Sequence, residues 1–135
     1  VIYIRHSDGK GEALEYGTEG WQICSQLTQL EGEVIIDKCY SSAFRETNLN
    51  EQLKSINAKR IILCGMQVEY CVDTTCRVAF EYGYEVTIPK ETTTTFDSVL
   101  TTAQALCTYF EEHMWPKRFA EVKPLNQVLY DIENC

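Results

Sequence analysis

Short runs rich in β-branched residues alternate along the chain with stretches whose apolar residues recur every three or four positions. Val1 to His6, Glu33 to Ile36, Arg60 to Cys64 and Glu85 to Ile88 each predict a buried strand, and Phe119 to Val122 a weaker fifth. Four helices are expected between them. Thr18 stands where it would cap a helix with Trp21, Cys24, Leu27 and Leu30 on one face. Asn48 or Asn50 would cap a shorter one with Leu49, Leu53 and Ile56 turned inward. The clearest stripe is Val72, Cys76, Ala79, Phe80 and Gly83, with the glycine just past the helix end, where it is favoured. Ala103, Leu106, Cys107 and Phe110 mark the fourth. This alternation predicts βα units and a mostly parallel sheet covered on both faces, hence one α/β domain over residues 1–135. Ser7 to Gly17 and Lys90 to Asp97 read as surface loops, and the stretch after Pro124 carries no readable pattern.

Composition narrows the function classes. With 135 residues and 44% hydrophobic content the chain can bury one core and not two. The formal charge is −8 and the 12 basic residues are scattered, so neither nucleic acid nor an anionic membrane is an expected partner. No apolar run approaches the ~20 residues needed to cross a bilayer. The chain opens directly on the strand Val1-Ile2-Tyr3-Ile4-Arg5, which reads as the middle of a protein. The seven cysteines (24, 39, 64, 71, 76, 107 and 135) are odd in number and spread through predicted elements. They suit a reducing cytosol better than a disulfide framework. Cys64, Cys71 and Cys76 lack zinc-site spacing, so neither metal nor other cofactor is expected.

Open α/β sheets bind ligands at the C-terminal ends of their strands. After the third predicted strand comes Gly65-Met66-Gln67-Val68-Glu69-Tyr70-Cys71, then a helix. Cys71 would therefore sit in the first helical turn, where free N–H groups and the positive dipole end stabilise a thiolate and could hold an oxyanion. Cys76 lies about 140° further round that helix, within the apolar stripe. Lys38 follows the strand Val34-Ile35-Ile36; it is either a snorkelling surface lysine or a charged neighbour for a thiol. His6 and Arg5 end the first strand. A Cys–His pair is one reading of His6, and a plain hydrogen-bonding histidine the commoner one. His113 reads as structural.

These residues bring a resemblance into view. The run Gly65 to Arg77 resembles the nucleophile segment of the isochorismatase-like cysteine hydrolases. Val34-Ile35-Ile36-Asp37-Lys38, followed by Ser42-Ala43-Phe44 and Thr47-Asn48-Leu49, is similar to the segment carrying that family's catalytic lysine. Val1 to Ser7 resembles its second strand, and the likeness extends to about Val122. It implies a three-layer α/β/α Rossmann-like fold, with family strand order 3-2-1-4-5-6. It also implies a triad of Cys, Lys and Asp. Cys71 would attack an amide or ureido carbonyl and form a thioester, with Lys38 stabilising charge. The backbone N–H groups of Gln67 and Cys71 would form the oxyanion hole, beside a cis peptide between Met66 and Gln67. Phe44 and Tyr70 would line the pocket. A homo-oligomer is implied as well, to which Tyr82, Tyr84, Phe110 and Trp115 could contribute an interface.

The departures are informative. The family's first, central strand and the aspartate it carries have no counterpart in the sequence. The chain alone is therefore expected to be a fragment, or to complete its sheet with further polypeptide, and not to be a competent catalyst. The nicotinamidase metal pair after the second strand is replaced by Arg5-His6-Ser7-Asp8, which disfavours metal and nicotinamide. Relatives that cleave isochorismate do not use the cysteine, so Cys71 argues against that reaction. Two other readings stand beside the hydrolase: an inactive binding or assembly module on the same fold, and a thiol-redox protein pairing Cys71 with Cys76.

Overall fold

The computed structural model describes residues 1–134; Cys135 lies outside them. Seven strands and four helices follow in the order β1 (Ile2–His6), β2 (Val34–Lys38), α1 (Leu49–Ser55), β3 (Arg60–Ile62), β4 (Gly65–Met66), α2 (Asp73–Glu81), β5 (Glu85–Pro89), β6 (Thr93–Thr94), α3 (Ala103–Tyr109), β7 (Glu121–Lys123) and α4 (Leu125–Glu133). Every ladder is parallel, as chains threaded through βα units require. β1 pairs with β2, while β3, β5 and β7 form a second ladder in that order. These are the two flanks of the implied strand order, and among the described residues no ladder joins β1 to β3. One apolar core nevertheless serves both. Ile36 from β2, Leu49 and Leu53 from α1, Val72, Cys76 and Ala79 around α2, and Val86 and Ile88 from β5 form a single cluster. Burying an Ile88-sized side chain contributes about 1.5–3 kcal/mol.

Sequence periodicity held best for α2. Val72, Cys76 and Ala79 are buried, and Phe80 reaches the surface to meet Phe119 edge-on. The helix closes as a Schellman turn: Tyr84 N–H donates to the Ala79 carbonyl and Gly83 N–H to that of Phe80, with Gly83 at φ +84°. In α1 the capping prediction needs correction. Asn48 precedes the helix without a side-chain cap, and Asn50 instead accepts from the Tyr84 hydroxyl. Thr47 Oγ1 takes the Leu49 N–H. Ile56, expected inward, is 67% exposed because the helix ends before it.

The helix expected from Thr18 does not form; isolated turns run from Thr18 to Glu33. The physical reason is local. Thr18 Oγ1 donates backwards to the Glu15 carbonyl instead of capping forwards. A Cβ on Gly20 would meet the Ala13 carbonyl oxygen at 2.5 Å, so chain packs against chain there. Trp21 alone is buried; its indole N–H donates to Ser7 Oγ and its ring faces the Arg5 guanidinium. Leu27 and Leu30 are left exposed.

Further differences concern strand burial, strand length and the stretch after Pro124. β1 is half-buried rather than buried, and Ile62 in β3 is exposed. The third strand stops at Ile62, and the chain turns at Gly65, φ +125°, into a two-residue ladder with Thr93–Thr94. The stretch after Pro124 forms α4, which buries only Val128. Tyr84, Phe110 and Trp115 belong to the core, so of the four residues expected at an interface only Tyr82 is exposed. Trp115 is held inside by donating its indole N–H to Asp73.

Candidate active site

Two adjacent strands and one helix start build the site. The β1–β2 register sets Arg5 opposite Asp37 and His6 opposite Lys38. Alternation along a strand sends these two pairs to opposite faces. Arg5 and Asp37 form a two-point ion pair at 2.7 and 3.1 Å. Lys38 points inward and is only 5% exposed. Its ammonium donates to the Tyr40 carbonyl at 2.8 Å and reaches Cys71 Sγ at 3.2 Å and His6 Nδ1 at 3.0 Å. The other ring nitrogen of His6, Nε2, lies 2.9 Å from Asp8 Oδ1.

Cys71 arrives from the opposite side of the core. Gln67 is extended (φ −91°, ψ 144°) and is joined to Met66 by a cis peptide bond. From Val68 to Val72 the chain makes one π turn that runs directly into α2. The Gln67 carbonyl accepts from both Tyr70 and Val72, so the turn is one residue wider than an α turn. Half-buried Cys71 thus lies within the opening turn of a helix that continues to Glu81. Backbone N–H groups and the dipole end favour negative charge there. Glu69 pins the turn from the side: its Oε1 accepts from Thr95 Oγ1, while its buried Oε2 has no hydrogen-bond partner among the described residues. One turn beyond Cys71, Thr75 Oγ1 accepts the buried Ala43 N–H and ties α2 to the segment after β2.

The other thiols differ from Cys71 in surroundings. Burial pushes the Cys76 thiol up to about 12 and raises that of Cys107. Phe44 is buried in the core against Tyr82 and Tyr84, and Tyr70 is 56% exposed next to Cys71 in the chain. Among the described residues no group of three or more His, Cys, Asp and Glu gathers as a metal site. An open trough lined by Lys59, Phe80, Glu85, Phe119 and Val128 includes none of the site residues.

The resemblance joined Cys71 and Lys38 in one triad, and in the structure the two are in contact. The contacts of His6 with Asp8 and Lys38 were missed. The His6–Lys38 contact is set by the residue-for-residue register of β1 on β2, which a single sequence does not reveal. His113 lies against Tyr109 with the two rings tilted by 40°. No helix among the described residues is long and apolar enough to cross a membrane.

The Isochorismatase domain family matches residues 1–123, and the chain belongs to that family. It is 32% identical over 92 residues to a secreted isochorismatase effector of Verticillium dahliae, covering 67% of this chain and 48% of the relative. Nicotinamidase 3 of Arabidopsis thaliana is 32% identical over 95 residues, covering 67% of this chain and 46% of that protein. A crystal structure of an isochorismatase family protein superimposes with a TM-score of 0.80 at 33% identity, covering 90% of this chain and 70% of that one. The chain thus spans about half the length of these relatives in sequence.

Proposed function

We propose that the protein to which this chain belongs is a cysteine hydrolase that cleaves the C–N bond of a small amide or ureido compound. The carrying observation is the 3.2 Å contact between the Lys38 ammonium and Cys71 Sγ, made by a lysine that is 5% exposed. A buried ammonium beside a thiol favours the thiolate. The thiolate attacks the carbonyl carbon, and the N–H groups of Gln67 and Cys71 receive the oxyanion. Lys38 gives its proton to the departing nitrogen, the C–N bond breaks, and an acyl thioester remains on Cys71. Water then attacks the thioester, returning a proton to the Lys38 amine. The acid leaves, and thiolate and ammonium are regenerated. Tyr70, exposed beside the nucleophile, suits a pocket wall better than buried Phe44 does.

The relatives support the class of bond. Besides the nicotinamidase, a streptothricin hydrolase of Streptomyces noursei and a ureidoacrylate amidohydrolase of Cronobacter turicensis match at 26% and 29% identity. The chemistry calls for no cofactor. A redox pairing of Cys71 with Cys76 finds little support, since Cys76 is fully buried and its thiol is pushed up to about 12.

The test is ammonia or amine release from a panel of primary amides and ureido acids, by the protein and by its Cys71→Ala variant. Turnover of at least one compound, lost in the variant, is expected. Turnover that survives Cys71→Ala would overturn the proposal, as would a panel that is untouched while Cys71 alkylates no faster than the exposed Cys24 and Cys39.

A further inference from the structure

We infer that His6, oriented by Asp8, is the positioning residue that holds Lys38 as an ammonium against Cys71, and that protonating His6 releases that hold. The inference rests on the nucleophile reading above and adds the group through which acid would switch the site.

An ammonium has three N–H donors, and a buried one needs three acceptors. The structure supplies three: the Tyr40 carbonyl at 2.8 Å, His6 Nδ1 at 3.0 Å and Cys71 Sγ at 3.2 Å. A ring nitrogen accepts only when it carries no proton, so the hydrogen of neutral His6 must sit on Nε2. Asp8 Oδ1, at 2.9 Å, is placed to receive it. Asp8 thereby selects the tautomer that leaves Nδ1 free for the lysine.

A second proton on His6 reverses this. Nδ1–H becomes a donor facing a donor, and a second positive charge stands 3.0 Å from the ammonium. Lys38 must then shed its proton or swing away, and in either case Cys71 loses its counter-charge. Among the described residues the titratable groups in this contact set are Lys38, Asp8 and Cys71. Lys38 faces His6 from β2, Asp8 faces it from its own strand's extension, and Cys71 lies one contact further through Lys38. Arg5, next in the chain, is occupied by Asp37 and the Trp21 ring.

A residue that merely packed would not impose a pH-dependent step, and that separates the two roles. Iodoacetamide alkylation of Cys71 in the intact protein, followed by peptide mapping from pH 5 to 9, reads the thiolate directly. With His6 present, the rate should lose reactivity on the acid side beyond what one ionising thiol gives. His6→Gln keeps an acceptor oxygen that cannot take a proton at these pH values. It should retain the pH 8 rate within about threefold, a neutral acceptor replacing a neutral acceptor, and lose the acid-side step. His6→Phe removes the acceptor and should slow Cys71 at pH 8 by about tenfold or more, the range of a hydrogen bond to a charged group. Circular dichroism of each variant identifies any that has not folded, and His6→Gln carries the test if His6→Phe fails. A His6→Gln profile that superimposes on the wild type, or a folded His6→Phe as reactive at pH 8 as the wild type, would sink the inference while leaving the nucleophile intact. A wild-type Cys71 no faster than Cys24 and Cys39 would instead sink the nucleophile reading itself.

Discussion

Replacing Lys38 with methionine should slow Cys71 without unfolding the protein. Methionine keeps the length and apolar stem of the lysine and removes only the charge. The ammonium stands 3.2 Å from Cys71 Sγ. Unit charges at that separation attract by about 1.3 kcal/mol in water and about 5 kcal/mol at an effective dielectric near 20. Lys38 is 5% exposed, so the larger end is the better guide. Those energies amount to roughly tenfold to several-thousandfold in the thiolate population at neutral pH. A thiolate released from its counter-ion is intrinsically more nucleophilic, which returns somewhat under half of the exponent. The net expectation is about 3- to 100-fold slower alkylation of Cys71 at pH 7. The assay is timed iodoacetamide labelling with peptide mapping, using the exposed Cys24 and Cys39 in the same molecule as standards. Stability should hold or rise, because a buried ammonium costs several kcal/mol to desolvate and its removal leaves a neutral thiol behind. A Cys71 rate unchanged against the two standards would refute the contact as the source of its reactivity. A cooperative loss of stability would mean that Lys38 is structural.

Three shorter predictions concern the frame. Thr75→Val should destabilise by about 1–3 kcal/mol in urea unfolding, because the buried Ala43 N–H loses its acceptor, and Thr75→Ser should restore most of it. Trp115→Phe should cost about 1–3 kcal/mol in the same assay, through lost volume at a site with 0% exposure and the loss of the indole donor to Asp73, which keeps its ion pair with Arg77. Cys76 should stay unlabelled by iodoacetamide at pH 9 until urea unfolds the chain. Its thiol is pushed up to about 12, so the reactive form is scarce below that value and exposure alone restores it; labelling in the folded state would contradict its burial.

What the sequence could reveal follows from how local each signal is. The α2 stripe was legible because Val72, Cys76 and Ala79 obey one helical period and Gly83 ends it at positive φ. The same spacing misled at Trp21, Cys24, Leu27 and Leu30. Periodicity says which residues could share a face, and not whether a chain pressed against Ala13 at Gly20 has room to form the helix. Cys71 could be singled out because strand, loop and helix follow one another in the chain. Lys38 could be reached by resemblance, while chain order alone left it undecided. The His6–Lys38 contact is set by a register between strands whose partners lie 32 residues apart, and no local pattern encodes that. The π turn that widens the helix start at Cys71 is equally silent, because its extra residue is visible only in which N–H the Gln67 carbonyl accepts.

Two charged side chains are buried among the described residues, and their partners separate structural from chemical use of a buried charge. Glu111, at 9% exposure, accepts from the Thr93 hydroxyl and the Glu91 N–H. Neither partner changes protonation near neutral pH, and both belong to the turn and short strand around β6, so the carboxylate fixes geometry and nothing more. Lys38, at 5%, has one partner of that kind, the Tyr40 carbonyl. Its other two are a thiol and an imidazole, each able to gain or lose a proton under ordinary conditions. A lysine selected only for stability gains nothing from such neighbours, since its satisfaction would then vary with pH. The same arrangement is what proton transfer requires: a donor whose own state is set by the group it serves on one side and by a solvent-reaching His6–Asp8 pair on the other. The contact set around Nζ, more than the burial of the lysine itself, is therefore what supports the proposal that the chemistry takes place at this end of β2.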